Sequence, residues 1–512
     1  MSKRVWITCC IVVTSFILVW SIASSLLASG GQQAVYTRVA ISADPTRISR
    51  QPAISGAGDH VAFLSNSDLL NENVDFYYSQ IWLYDTQTMT YTRVTTFTSG
   101  FETHYPPKVN GDGTKIVFTS NFDFLNDGND SREVWLYDTT TMTYTQITTA
   151  PESHTFPFSA GATIDREGTK IAFYSNVDLL NDGLGGNQHQ IWLYNTATMT
   201  YTRVTTSSDT DRRSVSPLIN RDSTTILFSS NSDLLGENLG SSDYYLWLYD
   251  ISTTAYTRLA RISQYGNYTI NTDGTIVAFE SKYDLLNQGV AEDRTQIWLY
   301  DTNSLTYTRI TTPTTANESS NYPSISGDGT QIAFVSGADF LDTSIVGAPD
   351  EVWLYDTTTL TYTRVTSSVT QPYNRNGFPM ISEDGQRIVF EGGADLLDEG
   401  LNTNQVSQIW LWHAPGAFYL PMNYQVENGI LTLNWTTGGL NNCQYDLYHS
   451  QSPFSGFSIL NSDMSSMSAE IMLGALNPAS SNYYYVHAHG CDGDQEASSQ
   501  MVGVFDFELS ID

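Results

Sequence analysis

The chain has 512 residues, of which 40% are hydrophobic, so it can form two or more domains with buried cores. Its 54 acidic residues against 23 Lys and Arg give a formal net charge of −31. Such a surface argues against nucleic acid as a partner, because phosphates bind basic surfaces. The same charge favours solubility.

The first 30 residues, MSKRVWITCCIVVTSFILVWSIASSLLASG, carry Lys3 and Arg4, then an apolar run, then small residues. This order is typical of an export signal, with Ala28 and Gly30 at the cleavage site. The apolar run also reaches the roughly 20 residues that span a bilayer. The sequence therefore predicts a signal peptide or an N-terminal membrane anchor, and export to the periplasm, the cell surface or the extracellular space. No membrane contact beyond this segment is expected.

Residues 34–415 contain seven copies of an I-W-L-Y piece, separated by 53, 57, 55, 51, 55 and 57 residues. The tryptophans of the copies are Trp82, Trp135, Trp192, Trp247, Trp298, Trp353 and Trp410. A period of this size is typical of repeat arrays and propellers.

Each repeat is rich in short β-type runs. In the sixth, SIS and IAFVS flank the turn Gly327-Asp328-Gly329, and EVWLYD and TYTRVT flank residues 357–360. An Asp-Gly turn between apolar runs favours a hairpin, and no helical period separates the runs. Each repeat is therefore predicted to be a four-stranded antiparallel sheet, which is a propeller blade.

A second piece, Y-T-R-V, also occurs seven times but is offset from the tryptophans. Its first copy begins at Tyr36, before any complete blade, whereas no copy follows Trp410. We expect residues 36–39 to be the outer strand of blade seven, since closure removes exposed sheet edges. The register also places Arg93 across from Trp82, for a cation–π contact of about 0.5–1 kcal/mol. The prediction is an all-β, seven-bladed propeller closed by an N-terminal strand.

The strings SISGDGTQIAF, DLL and WLYDTxTxTYTRVT resemble the TolB-like, WD-repeat-like propeller repeat. The resemblance covers roughly residues 36–413. It implies a propeller found in many exported proteins, and it does not imply one function, because propellers host binding, scaffolding and several chemistries.

The loops joining strands 2 and 3 of the blades are rich in Asp and Asn. Each begins with an aspartate, namely Asp68, Asp123, Asp178, Asp233, Asp284, Asp339 and Asp395. Ca²⁺ takes six to eight oxygen ligands. An aspartate that recurs in every blade is nevertheless expected to hold the turn by accepting backbone N–H groups. The carboxylates that do not recur, Asp127, Asp130 and Asp182, are the candidate calcium ligands.

Two further candidates are His104 and His154, which lie in the related strings FETHYPP and PESHTFP. Each histidine follows a glutamate, Glu102 or Glu152, by two residues. Such a pair could bind a metal ion or an anion. Duplication of a solvated segment is the alternative interpretation, and it is favoured because no third ligand is evident.

Residues 416–512 lack the blade pattern. The strings ILTLNWT, QYDLYHSQSPF and NYYYVHAHGC predict strands, and they resemble a fibronectin type III or immunoglobulin-like sandwich. Cys443 and Cys491 are predicted to form a disulfide, as an exported chain allows. The resemblance implies that both cysteines lie at one end of the sandwich.

Signatures of propeller enzymes are missing from the sequence, which has no G-x-S-x-G string and no sialidase-type Asp box. The sequence favours an exported, non-enzymatic binding or scaffold protein with a protein or cell-envelope partner. The alternative is a hydrolase or lyase acting on extracellular polysaccharide. No cofactor other than Ca²⁺ is expected, and the default oligomeric state is a monomer.

Overall fold

The computed structural model describes strands and the turns between them. The described residues are 35–40, 47–70, 72, 78–97, 105–126, 128, 131–149, 157–183, 188–206, 211–264, 266–289, 294–312, 318–341, 350–366, 376–393, 396, 407–414, 422–427, 430–435, 443–450, 458–472, 482–489, 497–498 and 502–504. Within these ranges no helix is long and apolar enough to cross a bilayer. The predicted signal or anchor, residues 1–30, lies outside them.

Seven four-stranded antiparallel sheets form the blades, and the strands of blades 1 to 3 have the following bounds. Blade 1 is β2 (Ser49–Ile54), β3 (His60–Ser65), β4 (Gln80–Asp85) and β5 (Thr90–Arg93). Blade 2 is β6 (Lys108–Val109), β7 (Lys115–Ser120), β8 (Glu133–Asp138) and β9 (Thr143–Gln146). Blade 3 is β10 (Ser159–Ile164), β11 (Lys170–Ser175), β12 (Gln190–Asn195) and β13 (Thr200–Arg203).

Blades 4 to 7 repeat the same order. Blade 4 is β14 (Ser214–Ile219), β15 (Thr225–Ser230), β16 (Tyr244–Asp250) and β17 (Tyr256–Ile262). Blade 5 is β18 (Tyr268–Ile270), β19 (Ile276–Ser281), β20 (Gln296–Asp301) and β21 (Thr306–Arg309). Blade 6 is β22 (Ser320–Ile325), β23 (Gln331–Ser336), β24 (Glu351–Asp356) and β25 (Thr361–Arg364). Blade 7 is β26 (Gly377–Ile381), β27 (Arg387–Gly392) and β28 (Gln408–His413), completed by β1 (Val35–Arg38).

The predicted closure is confirmed, because β1 pairs antiparallel with β28 and aligns Arg38 with Trp410. The guanidinium carbon of Arg38 lies 4.9 Å from the centre of the Trp410 ring, and the pair Arg93–Trp82 is 6.0 Å apart. The predicted cation–π contact is therefore also confirmed.

A repeated tyrosine joins each blade to the one before it at the rim. The Tyr91 hydroxyl of blade 1 donates to the carbonyl of Val39, 2.6 Å away, which follows the closing strand. The Tyr36 hydroxyl, in turn, donates to the carbonyl of Val365 in blade 6. The same bond is made by Tyr144, Tyr201, Tyr256, Tyr307 and Tyr362. Hydrogen bonds at the rim thus cross every junction between blades.

The core of the propeller lies between the blades. The seven repeat tryptophans are at most 1% exposed. Apolar side chains of adjacent blades form shared clusters, one of which packs Ala160 and Ile191 of blade 3 against Phe228 and Trp247 of blade 4. Both faces of each sheet are therefore apolar, as the repeat pattern predicts.

The chain divides into two compact units, of which the larger comprises Ala34–Gln87 and Tyr91–Pro415 and the smaller includes Gly416–Asp512. The smaller unit has two antiparallel sheets. Their strands are β29 (Met422–Glu427), β30 (Ile430–Trp435), β31 (Gln444–Ser450), β32 (Ser458–Met464), β33 (Ser468–Met472), β34 (Asn482–His489), β35 (Ala497–Ser498) and β36 (Val502–Val504).

One sheet of the smaller unit has the order β29-β30-β33, and the other has β32-β31-β34-β35 with β36 also on β34. Leu431, Leu433, Leu447 and Val486 are fully buried. The three strands that the sequence predicts there are present. That the sheets form a fibronectin type III sandwich stays a prediction.

Candidate functional site

The innermost strands of the blades line the propeller axis, and each ends in a turn to strand 2. One residue of each turn, which we call the ring position, stands directly after a Ser, Asn or Asp. The ring positions are Gly56, Gly111, Arg166, Arg221, Thr272, Gly327 and Glu383. They are the residues in which the turns differ most in charge and size.

Backbone hydrogen bonds connect the ring positions around the axis. The N–H of Glu383 donates to the carbonyl of Gly56 at 2.9 Å, which joins blade 7 to blade 1. Equivalent bonds link the other neighbouring blades, with Ala57 and Asp222 donating in place of the ring residue itself, at 2.8–3.3 Å. Because these bonds use only the main chain, they do not restrict the side chain at the ring position.

Glycines at three ring positions leave room for the large side chains beside them. A Cβ atom on Gly56 would lie 2.2 Å from Oε1 of Glu383, and one on Gly111 would lie 2.5 Å from Cγ of Arg166. A Cβ on Gly327 would lie 3.0 Å from Cβ of Glu383. The side chains of Arg166 and Glu383 therefore extend over the backbone of neighbouring blades.

Two arginines share the single carboxylate of the ring. Arg166 Nη2 binds Glu383 Oε2, and Arg221 Nε lies 3.4 Å from Glu383 Oε1. Arg221 Nη1 also donates to the carbonyl of Val109 at 3.2 Å. Burial lowers the pKa of Arg221 and the charge of Arg166 lowers it further, against the opposing effect of Glu383 and Asp165. Two guanidinium groups are thus held close together inside the mouth of the channel.

A third cation, Lys108 of blade 2, lies on the innermost strand three residues before a ring position. It lines the same cavity of about 100 Å³ as Arg221 and Glu383. Burial lowers the pKa of Lys108 to about 8, with a further contribution from the positive charge of Arg221. Among the described residues, its ammonium group makes no hydrogen bond or ion pair.

The balance of charge at this mouth is positive. Two cations, Lys108 and Arg221, and one carboxylate, Glu383, line the cavity. Glu383 is shared with Arg166, and the Asp165 carboxylate is already occupied, because it accepts from Thr169, Lys170 and Ser223. The lining therefore carries more positive than negative charge in a protein of net charge −31. The mouth of the channel can therefore hold an anion, which carboxylate or phosphate oxygens would provide.

Two carboxylates lie at the other end of the inner strands. Glu280 accepts a hydrogen bond from the backbone of Tyr322 at 3.2 Å, and Glu391 accepts one from the backbone of Gln51 at 3.0 Å. Burial raises the pKa of both carboxyl groups. Both groups hold a β-bulge of the next blade, where Gln51 and Tyr322 have φ values of 54° and 56°. Their contacts are structural ones between blades.

The leading aspartates of the strand 2–3 loops act as turn-makers in the structure. Asp178, for example, accepts from the backbone N–H of Leu180 at 3.3 Å and of Gly183 at 2.8 Å. Equivalent bonds are made by Asp68, Asp123, Asp233, Asp284 and Asp339. The seventh aspartate, Asp395, lies outside the described residues.

Of the candidate calcium ligands, only Asp182 lies within the described residues. Its carboxylate binds both terminal nitrogens of Arg203, at 2.7 and 2.8 Å, and that guanidinium also stacks 4.8 Å from the ring of Trp192. In the ranges that the structure describes, no three His, Cys, Asp or Glu side chains group as a metal site would require.

The other predicted site residues lie outside the described residues. They are Asp127, Asp130, His104 and His154. The calcium and histidine sites therefore stay predictions. Cys443 is disulfide-bonded, and its predicted partner Cys491 also lies outside, so the pairing itself stays a prediction.

The sequence interpretation missed the ring position, because it emphasised how alike the blades are. A signal was present in the turn strings: SGAG, NGDG, DREG, NRDS, NTDG, SGDG and SEDG differ most at their second letter. The presence of two arginines and a glutamate at the same position of the repeat would have predicted a charged site at the propeller axis.

The sequence matches no known family model and no curated protein. Among solved structures, the chain is similar to an oligogalacturonate lyase from Vibrio parahaemolyticus (12% identity, TM-score 0.49), over 75% of this chain and 94% of that one. It is also similar to the propeller domain of the Trilobed protease from Pyrococcus furiosus (11%, 0.46), over 72% and 93%. TolB from Acinetobacter baumannii matches at 16% identity and a TM-score of 0.37, over 61% and 65%. Likeness at this level says nothing about activity.

Proposed function

We propose that the protein is an exported, non-enzymatic binding protein whose propeller holds a small anionic group at the mouth of its axial channel. One observation carries this proposal. Lys108 of blade 2 and Arg221 of blade 4 line one cavity, in which Glu383 is the carboxylate of the described lining, and that carboxylate is already paired with Arg166 of blade 3. A repeat protein can form a single site with several different charged residues only where the sequences of its blades differ, and here they differ at the turns around the axis.

Binding is favoured over hydrolysis by the state of the carboxylates. A glycoside hydrolase of the common type needs two carboxyl groups that flank the bond to be cleaved. Glu383 at the mouth is engaged by two arginines, and Glu280 and Glu391, at the other end of the inner strands, accept from the backbone of the neighbouring blade. The polysaccharide hydrolase or lyase has no comparable support.

The rest of the chain fits a role outside the cytoplasm. The predicted signal or anchor in residues 1–30 would deliver the propeller to the cell envelope or beyond it. The C-terminal unit would then be a fibronectin type III-like spacer or adhesion module. A protein or cell-envelope partner that presents an acidic group to the channel would match the charge at the mouth.

Calorimetric titration of the purified chain with malonate, and separately with phosphate, tests the proposal. We expect one binding site per chain. The variant Arg221→Met should weaken binding at least tenfold, because it removes one of two converging guanidinium groups. The matched control is Arg258→Met, which removes an arginine paired with Glu237 at the rim and should leave the affinity unchanged. Binding of neither anion, or equal binding by both variants, would overturn the proposal.

A further inference from the structure

We propose that Lys108 captures a small 2-oxo acid as an imine, while the carboxylate of the acid is held by Arg221, which lines the same cavity. This inference rests on the proposed function, because it uses the same anion site. It adds a chemical class of ligand and a covalent bond.

Lys108 differs from the other four lysines of the chain. Lys115 and Lys170 donate to carbonyl oxygens of the next blade, at 3.4 and 3.2 Å, and Lys282 lies 5.6 Å from the ring of Tyr283. Lys3 belongs to the N-terminal segment outside the described residues. Lys108 alone lines the axial cavity.

The level of the channel around Lys108 contains no carboxylate. The corresponding residues of the other inner strands are Ala53, Thr163, Leu218, Thr269, Ser324 and Met380. Thr163 and Ser324 are occupied, since their hydroxyl oxygens accept from the backbone N–H groups of Ile219 and Ile381. The side chains at the level of the amine are therefore apolar or hydroxyl groups, and Arg221 is the charged group that acts on its pKa.

These surroundings favour a nucleophilic amine. A lysine that is desolvated, or that stands beside another cation, loses its proton more easily and can attack a carbonyl carbon. The lowered pKa of about 8 means that roughly half of the Lys108 amines are neutral at pH 8. The charged groups that line the same cavity are Arg221 and Glu383. Lysines on the surface titrate near 10.4 and stay protonated there.

The covalent step balances without an oxidant or reductant. The neutral amine attacks the carbonyl carbon, and the carbonyl oxygen takes up a proton to give a carbinolamine. Loss of that hydroxyl as water, with the second proton of the nitrogen, leaves a C=N bond. Hydrolysis reverses the sequence, so the ligand is held reversibly and no bond within it is cleaved.

The size and charge of the site select the ligand class. A cavity of about 100 Å³ has room for several waters, hence for a ligand of the size of glyoxylate or pyruvate. Arg221 supplies the positive charge for one carboxylate, because Lys108 attacks the carbonyl in its neutral form. When the carboxylate of the ligand binds Arg221, a carbonyl group adjacent to that carboxylate would lie beside Lys108.

Reductive trapping tests the inference on the purified chain. The chain is incubated at pH 8 with pyruvate and cyanoborohydride, and each lysine is then quantified by peptide mass spectrometry. We expect Lys108 to be modified at least tenfold more than Lys115 or Lys170. Malonate should suppress this labelling, and acetone, which lacks the carboxylate, should not label Lys108 preferentially. The variant Lys108→Arg should lose the adduct, while the background labelling of Lys115 and Lys170 stays unchanged.

The outcomes separate this inference from the proposed function. Equal labelling of all lysines, or labelling of Lys108 that malonate does not reduce, would overturn the imine. If malonate binds by calorimetry and Lys108 is not labelled, the imine fails and the anion site stands. If neither malonate nor phosphate binds and Lys108 is not labelled, both proposals fail.

Discussion

Replacing Glu383 by glutamine should change folding stability and anion affinity in opposite directions. The carboxylate lies between Arg166 and Arg221 and is their shared counter-ion. Glutamine keeps the shape of the side chain and removes its charge. We expect Glu383→Gln to lower the free energy of unfolding without ligand, because two guanidinium groups then repel each other. The same change should tighten anion binding, because an internal competitor is gone.

The size of the effect follows from the geometry. At 3.4 Å between Arg221 Nε and Glu383 Oε1, an effective dielectric constant near 20 gives about 5 kcal/mol of attraction. Solvent screens part of this energy, since the side chains of Glu383, Arg221 and Arg166 are 21%, 24% and 40% exposed. We therefore expect a loss of about 1–3 kcal/mol of stability. If an anion replaces the lost charge, its affinity should rise about ten- to a hundredfold.

Urea unfolding with and without malonate, together with calorimetry, measures both quantities. The matched control is Glu237→Gln, which removes the same charge from an ion pair at the rim, 2.8 Å from Arg258. Glu237→Gln should lower the free energy of unfolding by less than about 1 kcal/mol and leave malonate binding unchanged. If Glu383→Gln weakens malonate binding as well as stability, Glu383 is part of the binding surface, and the reasoning that it competes with the anion is wrong.

Three further predictions concern the fold. Tyr36→Phe removes the bond to the Val365 carbonyl and should cost about 1 kcal/mol, seen as a lower urea midpoint with an unchanged m-value; an unaltered midpoint would contradict it. Met199 is 75% exposed and has a φ of 55°, a backbone conformation that asparagine adopts more easily than methionine. The variant Met199→Asn should therefore raise the free energy of unfolding by up to about 1 kcal/mol in urea unfolding, whereas a lower value would show that the methionine side chain makes stabilising contacts. Burial, aided by the charge of Arg387, lowers the pKa of His413 to about 3. The unfolded chain therefore binds more protons than the folded chain between pH 6.5 and pH 3, and the free energy of unfolding should fall as the pH is lowered through this range. The variant His413→Gln should reduce this pH dependence, and an unchanged dependence would show that His413 is not its source.

The fold follows closely from the sequence because its signals are local and repeated. Trp82 and its six copies fix the number of blades, and the offset of the Tyr36 copy reveals which strand closes the ring. The pairing of that strand with β28 could be predicted from this offset alone, although the two strands are far apart in the sequence. The strands within each blade are predicted by the alternation of apolar and polar residues and by the Asp-Gly turns.

The candidate site could not be predicted in the same way. Arg166, Arg221 and Glu383 are separated by 55 and 162 residues in the numbering, and they meet only because seven blades close around an axis. In the sequence each of them is a minor variation in a turn. The strand 2–3 loops drew attention instead, since acidic residues are conspicuous there. In the structure those aspartates, such as Asp178, hold their own loops.

The backbone ring around the axis separates the closing of the propeller from the choice of what it recognises. Each junction is fastened by main-chain atoms, so the side chain at a ring position can change without loosening that junction. The seven positions can therefore be varied without breaking the main-chain ring, except that Gly56, Gly111 and Gly327 make space for a neighbour and that Arg166, Arg221 and Glu383 stabilise one another. A variant library confined to Arg166, Arg221, Thr272 and Glu383 would sample new ligand preferences while the main-chain bonds between the blades stay in place.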